Sequence, residues 1–191
     1  SGAVTDVGSV KAPVVADVAH HRFVGGHPMA GSEQLGVDGA SADLFEGAVW
    51  VLTPVAGTDS DHFATVASVV RSLGAEVVAL TPERHDALVA VVSHVPHLTA
   101  AALMGIADER AEEHAALLRL AAGGFRDMTR IAAGTPTIWP DICSENRDAI
   151  LEVIDRLGLE LGRLRAMVAD HDRDQLLATL ERAQVARRNL P

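Results

Sequence analysis

The sequence contains one cysteine, Cys143, one lysine, Lys11, and no tyrosine among its 191 residues. A single thiol cannot form an internal disulfide and offers no cysteine pair for a zinc site. Acidic residues outnumber basic ones by 26 to 16, so the formal net charge is −10, whereas a general nucleic-acid binder needs clustered lysine and arginine to neutralise phosphates. We therefore expect a chain from a reducing, cytoplasmic setting that does not bind nucleic acid.

Long apolar runs are also lacking. No uninterrupted run approaches the roughly 20 residues that cross a bilayer, and the first residues have neither the basic start nor the apolar stretch of a signal peptide. Hydrophobic residues nevertheless make up 48% of the chain, which is enough for a buried core. These features predict a globular protein that is neither membrane-bound nor secreted.

Short β-rich runs alternate with a helical pattern before Pro82. Residues 62–73 have apolar side chains at helical spacing and are followed by Gly74, which is typical of a helix end. Because this helix separates two strands, the order predicts a parallel α/β sheet. Strands are predicted at residues 3–5, 23–25, 48–53 and 76–80.

After Pro82 the sequence has helical patterns only, and this half is predicted to be all-α. The helices are predicted at residues 83–105, 108–121, 124–133, 145–169 and 171–188. In the longest one an apolar seam follows one side, which we interpret as ordinary packing rather than a coiled coil. The seam consists of Ile150, Ile154, Leu157, Leu161, Leu164 and Val168.

One feature of a nucleotide-binding sheet is missing. Such a sheet normally opens with a Gly-rich turn after its first strand and has an acidic residue after its second, and neither is present here. We therefore expect the sequence to begin inside the sheet of a longer gene product. A C-terminal regulatory domain is not expected, because the chain ends soon after its last predicted helix.

His27 is the first candidate for chemistry. It follows a predicted strand and two glycines, Gly25 and Gly26, and it precedes a proline. Loops at the carboxyl ends of parallel strands are where α/β sheets bind ligands. The small residues around it, including Ala30 and Gly31, would permit a ligand to approach closely. A histidine in such a loop can equally be a solvated, hydrogen-bonding residue.

Two further pairs involve histidine. His94 and His97 lie three residues apart on a predicted helix and therefore share a face. However, Pro96 between them would distort the turn, and a metal ion needs further ligands. We therefore expect no metal site. His85 and Asp86 are adjacent and are not expected to face the same way on a helix. A capping or domain-junction role is the default for this second pair.

An arginine pair stands in an otherwise apolar region. Arg126 and Arg130 lie four residues apart on one predicted helical face, and Asp127 lies between them. An arginine beside a cleft can hold a carboxylate through two parallel hydrogen bonds. A surface salt bridge between Asp127 and Arg130 is the alternative. Trp139 is expected to pack in the core or at an interface.

Five segments in this order resemble the prephenate dehydrogenase family of tyrosine biosynthesis. Each is weak alone, but together they extend from residue 4 to residue 142. They are residues 4–11 (VTDVGSVK), 25–33 (GGHPMAGSE), 85–98 with HD at its start and SHVPHL at its end, 124–132 (GFRDMTRIA) and 139–142 (WPDI).

The resemblance implies a fold and an assembly. Residues 1–82 would be the C-terminal part of a Rossmann-like nucleotide-binding domain, and residues 83–191 a helical domain that binds substrate and forms a homodimer. The active site would lie in the cleft between them. The family's first half-domain, which holds the Gly-rich turn, is absent.

The resemblance also implies a reaction, the oxidative decarboxylation of prephenate or arogenate with hydride transfer to NAD or NADP. His27 would be the base, and Ser9 would hydrogen-bond with it and with the substrate hydroxyl. Arg130 would bind a substrate carboxylate, and Asp127 and Trp139 would support Arg130 and the pocket or dimer contact. Further residues are implied near the ligands: His94, His97 and Ser32 at the substrate, and Asp6, Val7, Gly8, Ser9 and Glu33 at the cofactor or the cleft entrance.

Two alternatives remain open on the sequence alone. Dehydrogenases with a helical second domain of the 6-phosphogluconate type use a catalytic lysine, and Lys11 is the only lysine available here. The chain could also be a dimerisation module without activity of its own. The sequence does not distinguish prephenate from arogenate, because the two differ by a keto or an amino group and both an acid, Asp127, and a cation, Arg126, are available to face it. It does not distinguish NAD from NADP either, because the residue that contacts the ribose 2′ position lies in the absent segment.

Overall fold

The computed structural model describes residues 2–31, 36–114 and 116–190, with the backbone alone for residue 38. The chain forms two compact units, residues 1–150 and residues 151–191. Pro82 lies inside the first unit, where the helix that it begins contacts both the sheet and the first helix. The predicted domain boundary at this proline stays a prediction.

The first unit contains a four-stranded sheet with the order β1-β2-β3-β4. The pairs β1–β2 and β3–β4 are parallel, whereas β2–β3 is antiparallel. The strands and the two helices between them are β1 (Val4–Thr5), α1 (Ala12–Val18), β2 (Phe23–Pro28), β3 (Val49–Thr53), α2 (Ser60–Ser72) and β4 (Glu76–Ala79). The predicted parallel crossover β3–α2–β4 is confirmed, and so is the fold class of a Rossmann-like sheet followed by helices.

Apolar residues of the sheet and of α2 form the core. Val24 and Leu52 are fully buried at its centre. Asp59 begins α2 by accepting hydrogen bonds from the backbone N–H groups of Asp61 and His62. The helix buries Val66, Ala67 and Val70 against the strands, which fixes the order of β3 and β4 in the sheet.

Strand β2 is longer than the sequence predicted. It was expected to end at Gly25, but it continues to Pro28, and His27 therefore lies within the strand and not in the loop after it. The reason is tertiary: Gly26 pairs with Leu52 and His27 pairs with Val51 on β3. Pairing with a neighbouring strand overrides the low β propensity of glycine.

The rest of the first unit is helical. One helical stretch covers residues 82–113, where two helices with a break near residue 106 were predicted. It consists of α3 (Pro82–Val89), a π-helical turn (Ala90–His94) and α4 (Val95–Glu113). The π turn accommodates Pro96, which lacks an N–H group and cannot continue the regular pattern, and the Val95 N–H donates five residues back to Ala90.

This stretch is also long and apolar enough to cross a membrane by length and composition, with a mean hydropathy of 1.6 over 18 residues. However, it holds three buried polar side chains, His85, Asp86 and His94, that are hydrogen-bonded inside the protein. We therefore interpret it as the central packing helix of this region.

Shorter helices complete the first unit. They are α5 (Gly123–Thr129), which continues as a 3₁₀ turn (Arg130–Ala133), and α6 (Trp139–Glu145). Residues 118–121, predicted as the end of an α-helix, instead contain a 3₁₀ turn (Leu118–Leu120).

The second unit contains most of α7 (Arg147–Ala169) and all of α8 (Arg173–Arg188). Asp172 begins α8 by accepting a hydrogen bond from the backbone N–H of Gln175. The predicted apolar seam does not pack as expected: Ile150 is buried, but Leu161 and Val168 are 55% and 61% exposed. This seam is left as an apolar surface.

Candidate active site

The turn after β1 is held by a buried ion pair. The ammonium group of Lys11 is fully buried and binds the carboxylate of Asp6. Asp6 also accepts hydrogen bonds from the backbone N–H groups of Gly8 (3.0 Å) and Gly26 (2.9 Å). Burial lowers the pKa of Lys11, although the hydrogen bond and charge of Asp6 oppose this shift. Asp6 and Lys11 thus fix residues 6–11 against β2.

Both glycines before His27 are close-packed by the protein itself. A Cβ on Gly25 would lie 2.3 Å from Oγ1 of Thr53, and one on Gly26 would lie 2.7 Å from the carbonyl oxygen of Asp6. The prediction that these glycines leave room for a ligand is therefore wrong. They allow β2 to approach β3 and the Asp6 turn, which places His27 beside that turn.

A line of three side chains starts at His27. Its Nδ1 atom lies 2.8 Å from Nε2 of His85, and Nδ1 of His85 lies 2.7 Å from Oδ1 of Asp86. His85 is fully buried and Asp86 is 5% exposed. Contrary to the sequence-based expectation, the adjacent side chains of His85 and Asp86 do meet, and they connect α3 to the sheet.

Asp86 is also the cap of another helix. Its two carboxylate oxygens accept the backbone N–H groups of Lys11 and Ala12, each at 2.8 Å, at the start of α1. The predicted capping role is therefore correct in kind, but the capped helix lies 75 residues away in sequence. Burial alone would raise the pKa of Asp86, but the hydrogen bonds from His85, Ala12 and Lys11 lower it below its ordinary value.

When the His85 ring is neutral, this line determines which nitrogen of each ring carries the proton. A carboxylate only accepts hydrogen bonds, so His85 donates to Asp86 from Nδ1 and its Nε2 is an acceptor. His27 must then donate from Nδ1 to His85, which leaves Nε2 of His27 without a proton. Burial, the His85 ring and the charge of Lys11 lower the pKa of His27 to about 3, so this ring is neutral at physiological pH.

A second imidazole lies close to this line. His94 is 1% exposed, and its Nδ1 atom lies 3.1 Å from Nδ2 of Asn146. The same Nδ2 donates to the backbone carbonyl of Asp86 at 2.8 Å. Burial lowers the pKa of His94 to about 4. No periodicity or motif in the sequence pointed to Asn146, which lies at the junction of α6 and α7.

Trp139 brings the two predicted substrate histidines together. Its ring stacks on His97 at 3.5 Å between centroids and meets His94 at 6.2 Å in an edge arrangement. Burial lowers the pKa of His97. The π turn and Trp139 thus form one wall in which the two imidazole rings pack against the indole.

Arg130 lies at a surface hollow whose lining, among the described residues, does not include His27, His85 or Asp86. It lines this hollow, of about 510 Å³, together with Arg126, Met104, Thr129 and three alanines. Ala101 and Met104 of this hollow follow His97 by four and seven residues on α4, and therefore lie on the same helical face. Within the part of the chain that the structure describes, neither His27 nor Ser9 lines the hollow. Their convergence with Arg130 stays a prediction.

Two family models match this chain. The family model "Prephenate dehydrogenase, nucleotide-binding domain" matches residues 1–79, and "Prephenate dehydrogenase, dimerization domain" matches residues 81–182. This chain belongs to the prephenate dehydrogenase family. The resemblance drawn from the five sequence segments is confirmed.

The curated relatives of this chain include two bacterial dehydrogenases. A prephenate dehydrogenase of Bacillus subtilis (strain 168) is 39% identical over 98% of this chain and 52% of its own length. A cyclohexadienyl dehydrogenase of Zymomonas mobilis is 36% identical over 96% of this chain and 64% of its own length. The chain thus spans between half and two thirds of the length of these two curated relatives.

A solved structure has the same fold. The crystal structure of prephenate dehydrogenase from Aquifex aeolicus in complex with hydroxyphenyl propionate and NAD+ superposes with a TM-score of 0.91 at 34% identity. The match covers 99% of this chain and 67% of that one. Two of the predicted site residues, Ser32 and Glu33, lie outside the described residues. Ser9 is half-buried in the turn between Asp6 and Lys11.

Proposed function

We propose that this chain carries the catalytic residues of a nicotinamide-dependent dehydrogenase that oxidises and decarboxylates prephenate, giving 4-hydroxyphenylpyruvate, or arogenate, giving tyrosine. The observation that carries the proposal is the line His27–His85–Asp86. It presents an unprotonated imidazole nitrogen beside the turn at the end of β1. The names of the relatives support the substrate class.

The reaction requires a base at the ring hydroxyl. The hydroxyl loses its proton, the carbon that bears it loses a hydride, and the bond to the ring carboxylate breaks, so that its electron pair enters the ring as carbon dioxide leaves. His27 accepts the hydroxyl proton at Nε2. Ser9, in the neighbouring turn, hydrogen-bonds to the same hydroxyl.

A depressed pKa would make an isolated imidazole a weak base. Here the accepted proton has a path onward, because the proton on Nδ1 of His27 can move to Nε2 of His85 as Nε2 of His27 is protonated. The positive charge then lies beside the carboxylate of Asp86. The buried hydrogen bonds strengthen this transfer, since the local dielectric is low.

The turn after β1 is proposed to face a nicotinamide ring. β1 and β2 are parallel, so the residues that follow β1 lie at the same edge as His27. Val7 is 60% exposed there, and Gly8 has no side chain to block a flat ring. A bound nicotinamide dinucleotide would supply the hydride acceptor. Val7, Gly8 and Ser9 would contact it, whereas Asp6 would shape the turn through Lys11.

The substrate carboxylate is proposed to bind near Arg130. Ala101 and Met104 of the hollow that Arg130 lines share a face of α4 with His97, and guanidinium groups such as those of Arg126 and Arg130 suit a carboxylate geometrically. His94 and His97 would line the substrate between this hollow and the base. Ser32 and Glu33 remain proposals for the cleft entrance.

The functional assembly is proposed to be a homodimer through the helical region. Large apolar side chains are exposed there, including Val92 at 69% and Ile106 at 60%, and in the second unit Leu161 and Leu180, each at 55%. Large exposed apolar side chains on these helices support an interface with a second copy of the chain. The matched dimerisation model at residues 81–182 supports the same assignment. We propose a cytoplasmic location, in keeping with the single cysteine.

Two alternatives make different predictions. A lysine-dependent dehydrogenase is disfavoured, because Lys11 is fully buried and paired with Asp6. The second alternative is that the chain alone is a non-catalytic module, and a dinucleotide titration distinguishes it, since such a module would give no binding signal.

The experiment that tests the proposal is an assay of the natural full-length protein with prephenate and arogenate, each with NAD+ and NADP+. We expect reduced nicotinamide to form with at least one pair, in step with release of carbon dioxide. Failure with all four pairs would refute the proposed function.

A further inference from the structure

The side chain of Asn146 decides the hydrogen-bonding character of His94. Its Nδ2 atom lies 2.8 Å from the backbone carbonyl oxygen of Asp86. A carbonyl oxygen only accepts, so the group that faces it must be the NH₂ of the amide. The orientation of the Asn146 amide is thereby fixed.

The second N–H of the same group points to His94, at 3.1 Å from Nδ1. An amide NH₂ has no acceptor, so Nδ1 of His94 must accept and cannot carry a proton. The neutral ring then carries its proton on Nε2. Burial disfavours the charged ring, which would carry protons on both nitrogens, and lowers the pKa of His94 to about 4.

Nε2 of His94 is buried and has no hydrogen-bond partner among the described residues. A buried N–H without an acceptor is costly, so such a group is rarely left unpaired without a function. It is a donor held ready for an acceptor that the described residues do not supply.

We infer that Asn146 is a positioning residue that fixes His94 as an Nε2–H donor for an acceptor oxygen, carboxylate or carbonyl, of the bound substrate. His27 is fixed in the opposite sense, as an Nε2 acceptor, by His85 and Asp86. Asp86 connects the two arrangements, since its carboxylate holds His85 and its carbonyl holds Asn146. One residue of α3 thus sets a proton acceptor and a proton donor in the same site.

This inference rests on the proposed function for the identity of the ligand, but its first test does not require activity. The ring nitrogens of the natural protein labelled with ¹⁵N-histidine are observed by NMR near pH 7.5, with His94→Gln used to assign the signals of His94. We expect the Nε2–H tautomer for His94. An Nδ1–H tautomer in the unaltered protein would overturn the inference, whether or not prephenate is turned over.

Asn146→Asp reverses the polarity at the same size. A carboxylate accepts from Nδ1 of His94, so the proton should move to Nδ1 and Nε2 should become an acceptor. The matched control is Asn189→Asp, the same substitution at an exposed residue after α8. If Asn146→Asp does not fold, Asn146→Ala should still give a mixture of both tautomers in place of one. Unchanged His94 signals in a folded Asn146 variant would contradict the inference.

The ligand step is tested with hydroxyphenyl propionate and NAD+. Binding should shift the Nε2 signal of His94 in the unaltered protein, and Asn146→Asp should raise the KM for prephenate about tenfold or more, because a donor is replaced by an acceptor. The value of kcat should change less. A bound probe that leaves the His94 signal in place would refute the donor role. Absence of turnover together with the expected tautomer would refute the proposed function alone.

Discussion

Nδ1 of His27 and Nε2 of His85 lie 2.8 Å apart, although 58 residues separate them in sequence. A strand of the sheet and the first helix of the helical region are joined by this contact. Because His85 is held in turn by Asp86, the proton on His27 is confined to the nitrogen that faces His85.

His85→Leu should lower kcat on the order of 10²-fold, because His27 loses the group that orients it and receives its proton. KM should change little. Steady-state kinetics with prephenate provide the measurement, and His114→Leu, at an exposed residue after α4, is the matched control. His85→Gln can both donate and accept, so it should restore part of kcat. Equal losses in the Leu and Gln variants would argue against a positioning role.

Acid should destabilise the fold as the pH falls from 6.5 to 4. The pKa of His27 is lowered to about 3 and that of His94 to about 4 in the folded protein, against about 6.5 when unfolded. Between pH 6.5 and 4 the unfolded chain therefore binds more protons, and the free energy of unfolding falls as pH falls, by up to about 1.4 kcal/mol per pH unit for each histidine.

Urea unfolding between pH 7.5 and 4.5 measures this slope. His94→Gln should flatten it, since glutamine does not titrate, whereas His171→Gln, at an exposed position, should leave it as it was. A slope that is the same in all three proteins would contradict the assignment of a buried, neutral His94.

Gly26→Ala should destabilise the protein by about 1–3 kcal/mol, because the added methyl group meets the backbone carbonyl of Asp6. The turn that holds Ser9 should shift with it and lower activity. Thermal unfolding and the prephenate assay give the two readouts. Gly31→Ala is the control, since nothing lies within 4 Å of a Cβ built there. Equal stability of the two variants would show that β2 does not need its glycines.

Arg130→Ala should raise the KM for prephenate by about tenfold or more and leave kcat nearer its original value, because it removes a charged hydrogen-bond donor for a carboxylate. Arg130→Lys keeps the charge but not the paired N–H groups, so it should restore KM only in part. Arg188→Ala, at the exposed end of α8, is the control. An unchanged KM in Arg130→Ala would reject the carboxylate site.

The sequence predicted the fold class because hydrophobic periodicity is local. The crossover β3–α2–β4 could be predicted from apolar spacing and from Gly74, which has a φ of +80°. The extension of β2 to Pro28 could not, because it depends on pairing with a strand more than 20 residues later. The π turn before Pro96 was predicted only as a distortion.

The site could be predicted only in part. His27 was found from its motif, but its partners were not, because the meeting of His85 with His27 and of Asn146 with His94 depends on tertiary packing. Local reasoning placed His85 and Asp86 on different faces of a helix. It could not foresee that α1 would place its N–H groups against Asp86 and draw that carboxylate towards His85.

The most direct measurement is the turnover of prephenate by the natural protein and by His27→Asn, with His171→Asn as control. Asparagine keeps a polar side chain of similar reach but cannot accept a proton as a base. We expect kcat to fall by about 10²–10⁴-fold with KM nearly unchanged. A His27→Asn enzyme that turns over prephenate at the rate of the unaltered protein would contradict the assignment of His27 as the base.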